Sequence, residues 1–170
     1  ILTMKKMFLA LVCIAATATA VFAADPVKRT TPEYDKAENV IEAIVAQYPG
    51  KTVFVDLWAT WCGPCIRAME TIKPIKPWME ENDIVKVYVT NPSSDMAKWE
   101  EMIKDIGGEQ YVLTQDEWRA ACDKFGIKGI PTYMVYNKNG EQTYQKSGYP
   151  GNEVLHEEMT KALATLAEPT

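Results

Sequence analysis

Two cysteines separated by two residues stand at the centre of the chain, in Trp58-Ala59-Thr60-Trp61-Cys62-Gly63-Pro64-Cys65. This spacing suits either a redox dithiol or half of a metal site. A structural zinc site usually needs four Cys or His ligands. The remaining candidates, Cys122 and the single histidine His156, do not form a second close pair. The dithiol is therefore the leading assignment, with no metal and no cofactor beyond the two sulfurs. The apolar run Thr52–Trp58 reads as a buried strand leading straight into a helix that begins at about Cys62. A helix N-terminus has unpaired N–H groups and partial positive charge, and both favour a thiolate. Cys62, on the outer side, is then the nucleophile, and Cys65, one turn inward, resolves the mixed disulfide. Gly63 lets a partner backbone approach, and Pro64 stiffens the first turn.

Asp56 interrupts the apolar strand six positions before Cys62. An aspartate in a covered strand is costly, so a role in accepting and returning the Cys65 proton is expected over a structural one. Gly129-Ile130-Pro131-Thr132 is a second motif, with Pro131 directly ahead of a strand. By itself that could be an ordinary strand start.

The elements that must hold these residues follow from periodicity and breakers. Asp25–Thr31 reads as a polar lead-in, and Thr31-Pro32 as a helix start, with Val40, Ile41, Ile44 and Val45 at helical spacing up to Tyr48-Pro49-Gly50. The helix from Cys62 to about Glu81 should kink at Pro74 and Pro77. A strand over Asp83–Thr90, a helix over Asp95–Ile106 and a short strand over Gln110–Leu113 come next. The capping pair Thr114 and Glu117 starts a helix ending at Phe125-Gly126. The strand Thr132–Asn137 turns at Lys138-Asn139-Gly140 into Glu141–Ser147. A terminal helix spans Glu153–Leu166, with Val154, Leu155, Met159, Leu163 and Leu166 on one side. Strands alternating with helices, then a hairpin, imply an α/β fold with a central mixed sheet flanked by helices.

Trp61-Cys62-Gly63-Pro64-Cys65, preceded by Asp56 and followed by Gly129-Ile130-Pro131-Thr132, resembles the thioredoxin superfamily from about Lys51 to the C-terminus. The resemblance implies a thioredoxin fold with a cis Ile130–Pro131 bond facing the sulfurs. It also implies a groove for an extended substrate segment, flanked by Trp61, Gly148 and Tyr149. Pro131 lies 66 positions after Cys65 (131 − 65). The extra segment, Ser94–Leu113, is a helix–strand insertion before the cis-proline half, as in the TlpA/ResA-like branch of extracytoplasmic oxidoreductases. That branch often carries a buried glutamate near the cis-proline loop. No convincing equivalent is found, which leaves the proton relay to Asp56. The Gly-Pro dipeptide is of the thioredoxin type and favours a reductant of disulfides in exported proteins, recharged by a membrane electron donor. A disulfide oxidant or isomerase, a thiol peroxidase and a non-enzymatic metal-binding protein are the alternatives.

The N-terminus bears on location. Lys5 and Lys6, the apolar run Phe8–Ile14 and the small residues up to Val21-Phe22-Ala23 form a signal-peptide pattern, with cleavage expected after Ala23. This places the protein in the periplasm, or on its membrane if the leader remains as an anchor. The expected organisation is a leader over 1–23, a linker over 24–32 and a thioredoxin-like domain over 33–170. The formal charge is −5 for the whole chain; 18 basic residues less Lys5 and Lys6 leave 16 against 23 acidic, or −7 for the mature chain. No basic stripe is available for nucleic acid. Cys122 is expected to be a small buried side chain in its helix, with a third redox thiol or a dimer-forming cysteine as the alternative. Only Trp61 among the tryptophans is given a functional role. His156 is placed at the surface, and Tyr133, Tyr136 and Tyr144 are assigned to sheet packing.

Overall fold

The computed structural model describes residues 26–166. The leader and its Cys13 lie outside them. Six strands form one mixed sheet: β1 (Val27–Arg29), β2 (Val53–Leu57), β3 (Val85–Thr90), β4 (Glu109–Val112), β5 (Thr132–Tyr136) and β6 (Gln142–Ser147), in the order β1-β4-β3-β2-β5-β6. The first four run parallel, whereas β5 is antiparallel to β2 and to β6. Six helices cover the two faces: α1 (Val40–Val45), α2 (Gly63–Ile72), α3 (Lys76–Glu81), α4 (Met96–Ile106), α5 (Gln115–Phe125) and α6 (Asn152–Leu163).

Strand β2 is buried along its whole length and divides the core by alternation. Val53, Val55 and Leu57 pack with α1, with Val87 and Val89 of β3 and with Ala121 of α5. On the opposite face, Phe54 joins Ala68 and Ile72 of α2 and Leu155 and Met159 of α6. Farther along this face Trp58 packs with Cys62, Cys65 and Met69, together with Trp99, Ile103 and Ile106 of α4. The inserted helix α4 thus lies on the same side of the sheet as the helix that begins with the dithiol.

The proline kink forms as expected. Pro74 sits in a single 3-10 turn, Lys73–Ile75, that separates α2 from α3, and Pro77 occupies the first turn of α3. There the missing N–H of proline costs nothing. The Thr114 and Glu117 capping box is formed in both directions.

Three expectations are corrected. The 24–32 linker contains β1, which pairs in parallel with β4 through Val27, Lys28 and Arg29; Arg29 also pairs with Glu109 at 2.5 Å. The lead-in is polar because an edge strand exposes its side chains. The helix expected at Thr31-Pro32 starts only with a 3-10 turn at Ala37–Asn39. A tertiary contact and a local one hold the intervening chain: Tyr34 donates to Glu117 of α5 at 2.6 Å, and Asp35 accepts from Asn39, four positions on, at 2.7 Å. Finally, α6 buries Leu155, Met159 and Ala162, whereas Val154 and Leu166 are exposed and Leu166 lies beyond the helix.

Candidate active site

Strand β2 ends at Leu57, and five residues later Cys62 caps α2 with backbone dihedrals in the extended region (φ −80°, ψ 93°). Its sulfur takes the position of a capping oxygen and accepts the N–H of Cys65 at 3.2 Å. Cys62 and Cys65 are joined by a disulfide with Cα atoms 5.2 Å apart. Both residues are almost fully buried, at 3% and 1% exposure, so accessibility does not distinguish them. The capping position does: a negative charge on the Cys62 sulfur would meet the Cys65 N–H and the positive end of α2.

Trp61 is exposed, as is Pro64, and the Trp61 indole N–H donates to Ser93 at 3.0 Å. A side chain at Gly63 would come within 3.3 Å of the Arg67 guanidinium. Pro64 occupies the first turn of α2.

The second motif meets the first in space. The Ile130–Pro131 bond is cis, and the carbonyl oxygen of Ile130 lies 3.7 Å from the Cys62 sulfur. In the disulfide state that sulfur has no proton to donate, so this is a contact. Thr132 supports the loop by donating to Gly129 at 2.7 Å, and the N–H of Gly148, at φ +82°, donates to the Pro131 carbonyl at 2.8 Å. Cys62, Trp61, Ile130, Pro131 and Gly148 are therefore linked through one small set of contacts.

Asp56 shares the α2-facing side of β2 with Phe54 and Trp58, and so points toward the helix that carries Cys65. It is buried, and its Oδ1 has no hydrogen-bond partner in the protein. Burial pushes its pKa up to about 8, and the ammonium of Lys76 opposes that rise. Lys76 is itself pushed down to about 8, chiefly by burial. Its amine donates to the Ile106 carbonyl at 2.8 Å and lies 5.5 Å from the centre of the Tyr88 ring. Tyr88 and Tyr133 flank Asp56 on the neighbouring strands, and burial raises the pKa of both hydroxyls. A carboxyl that titrates near neutrality, on the side of β2 that faces the dithiol helix, is suited to proton exchange.

A cavity of about 280 Å³ is lined by Trp61, Gly129 and Ile130 together with Trp118, Cys122 and Ile127. Cys122 is free and half-buried rather than deep in the core, and burial raises its thiol pKa. Among the described residues, no group of three or more His, Cys, Asp or Glu side chains could hold a metal ion.

Sequence reasoning missed Lys76, Ser93, Ser94, Lys98 and Trp118. The serines follow Asn91-Pro92 and carry no chemical pattern of their own. Lys76 lies between the two prolines, and its charge acts on Asp56 from the start of α3. His156 does face outward, but it stacks on Trp78 with ring centres 3.9 Å apart.

The sheet order, the cis-proline loop and the dithiol at a helix start define a thioredoxin fold. The chain belongs to the Redoxin family, whose model matches residues 19–163. It is similar to the thiol-disulfide oxidoreductase ResA of Geobacillus thermodenitrificans, at 28% identity over 57% of this chain and 55% of that protein. The thiol:disulfide interchange protein DsbE of Pasteurella multocida is 24% identical over 70% of this chain and 63% of its own length. The chain thus spans little more than half the length of these curated relatives. Among solved structures, a putative DsbE from Chlorobium tepidum superposes with a TM-score of 0.58 at 22% identity, covering 71% of this chain and 85% of that one. A putative thioredoxin from Neisseria meningitidis gives 0.59 at 22% identity, covering 72% and 82%.

Proposed function

We propose that this protein is an exported thiol–disulfide oxidoreductase that reduces disulfides of extracytoplasmic proteins through Cys62 and Cys65. The observation that carries the proposal is the Cys62 sulfur, seated at the N-cap of α2 and 3.7 Å from the Ile130 carbonyl of the cis-proline loop. The Cys62 thiolate attacks one sulfur of a substrate disulfide, forms a mixed disulfide and expels the other sulfur as a thiolate. Asp56 takes the Cys65 proton, and the Cys65 thiolate attacks Cys62. The second substrate thiolate leaves, and the two substrate thiolates are protonated. Two electrons pass from the dithiol to the substrate, and Cys62–Cys65 ends as a disulfide.

The cis-proline loop, Trp61 and Gly148 would hold an extended substrate segment, with Gly63 and Pro64 at the close approach. The Gly-Pro dipeptide supports the reducing direction, and turnover then requires a dithiol donor at the membrane. Export rests on the signal-peptide pattern of the first 23 residues. Among the described residues, no helix is long and apolar enough to cross a membrane.

The test is the reduction potential of the Cys62–Cys65 couple in graded thiol buffers. A value near that of thioredoxin, about −270 mV, supports the reductant; one near about −120 mV makes the protein an oxidant instead.

A further inference from the structure

The inserted segment does more than widen the sheet. It takes up all three principal polar groups of Thr60, the residue two places before Cys62. The Thr60 N–H donates to Ser94 Oγ at 3.0 Å, its hydroxyl oxygen accepts the Asp95 N–H at 2.9 Å, and its carbonyl accepts the Lys98 ammonium at 2.9 Å. Ser94 is buried and is itself held by Thr90 at 2.7 Å. The neighbouring Ser93 fixes the Trp61 indole, and the Cys62 N–H returns to the Ala59 carbonyl at 3.0 Å. The loop that presents the nucleophile therefore takes much of its shape from the start of α4. At the other end of that helix, the Ile106 carbonyl holds Lys76, the cation that opposes the pKa rise at Asp56.

We infer that the inserted helix α4 is a positioning brace for the dithiol, with Ser93, Ser94 and Lys98 as its positioning residues. Two consequences follow. Held at the Thr60 carbonyl, Lys98 keeps a positive charge next to the active-site loop, which favours the Cys62 thiolate and hence the dithiol form. Held by Ser93, Trp61 remains a fixed wall of the 280 Å³ cavity, so a protein substrate meets a preformed surface and need not order it on binding. None of the three residues touches the sulfurs; they act through Thr60 and Trp61. The inference rests on the oxidoreductase activity proposed above, although its first readout does not require that activity.

The test uses the variants Lys98→Met, Lys98→Arg, Ser93→Ala and Ser94→Ala in the full chain. Lys98 and Ser93 are exposed, so their variants should fold; thermal unfolding checks all four. Thiolate absorbance of the reduced protein reads the acidity of Cys62, and equilibration with glutathione reads the dithiol–disulfide balance. In Lys98→Met, Cys62 should become a roughly threefold weaker acid and the couple roughly threefold more reducing, the scale of a partly screened surface charge. Lys98→Arg should restore both. Ser93→Ala should raise KM for a protein disulfide about threefold with kcat unchanged, since it frees one side chain at the binding surface. Ser94→Ala should lower kcat on the protein disulfide, through looser presentation of Cys62.

If Lys98→Met and Ser94→Ala melt at lower temperature but keep the wild-type thiol acidity, redox balance and kcat, the segment only stabilises the fold and the inference fails. Wild-type KM in Ser93→Ala would remove the Trp61 part of it. A wild-type protein that shows the Cys62 thiolate but never exchanges with glutathione would overturn the proposed activity instead. The Lys98 effect on thiol acidity would still decide the brace.

Discussion

The two faces of β2 are made by alternate residues of one strand and have opposite characters. Val53, Val55 and Leu57 enter a mostly aliphatic cluster with α1 and α5 that also buries Tyr111 and Tyr136. Phe54, Asp56 and Trp58 enter the side that carries α2, the dithiol and α4. That second side keeps several buried polar atoms without a partner, among them Asp56 Oδ1, the indole nitrogens of Trp58 and Trp99, and the Tyr133 hydroxyl. Unpaired buried polar groups cost stability, so a fold that retains them beside a dithiol has stability committed on one face and chemistry on the other. The contrast shows why a single aspartate in an apolar strand is informative: the strand could have been apolar on both sides.

Mutations on the two faces should therefore fail in different ways. The largest effect is expected from Cys62→Ser, which should reduce disulfide turnover at least about a thousandfold while leaving the melting temperature of the reduced protein unchanged. Cys65→Ser should instead accumulate a mixed disulfide with substrate, visible as a covalent adduct on non-reducing gels. A Cys62→Ser variant with substantial turnover would break the comparison at once.

Next in size is Leu57→Ala on the aliphatic face. Loss of its buried side chain should cost about 3 kcal/mol in denaturant unfolding. The reduction potential should not move; a large shift would mean that the faces are not independent.

Asp56→Asn probes the other face and carries a pH signature. The Asp56 carboxyl titrates near 8 when folded and near 3.8 as a free side chain, so between these values the folded state holds the extra proton. Its stabilising contribution is complete below about pH 4 and is lost as pH rises toward 8 and above. Asp56→Asn should remove this slope. The variant should be more stable than the parent above pH 8, by on the order of 2–3 kcal/mol in denaturant unfolding, because it spares the fold a buried carboxylate. It should also resolve the mixed disulfide more slowly, and the rate should no longer rise as the carboxyl ionises. Equal pH–stability curves for parent and variant would remove Asp56 from the relay.

Lys76→Met sharpens the same point with a smaller effect. Without that opposing cation, the Asp56 carboxyl should titrate at higher pH, and the pH–rate profile should shift the same way. Least of all should change in Cys122→Ser. Its thiol lines the cavity with its acidity suppressed by burial, so potential and turnover should remain within about twofold of the parent. A larger loss would give Cys122 the role of third redox thiol.

How much of this could be read in advance depended on the range of the interactions. Residues 52–65 form a strand, a short loop and a capped helix, and each is set by neighbours within a few positions. The proline-broken helix, the capping box at Thr114 and Glu117 and the closing hairpin are local in the same sense. The start of α1 could not be read this way, because Tyr34 is held by Glu117 of α5, 83 positions away. Nor could β1: three exposed residues have no periodic signal, and only pairing with β4 makes them a strand.

The sequence alone determined the dithiol, its place at a helix N-terminus, the carboxyl in the preceding strand and the α/β order, since side-chain chemistry and short-range backbone preferences suffice for these. Tertiary structure decided what each of them meets. It brought Ile130 to the Cys62 sulfur, Lys76 to the neighbourhood of Asp56 and the start of α4 to Thr60. Such contacts join residues dozens of positions apart, and they exist only once the sheet has ordered its strands and the helices have packed on its faces.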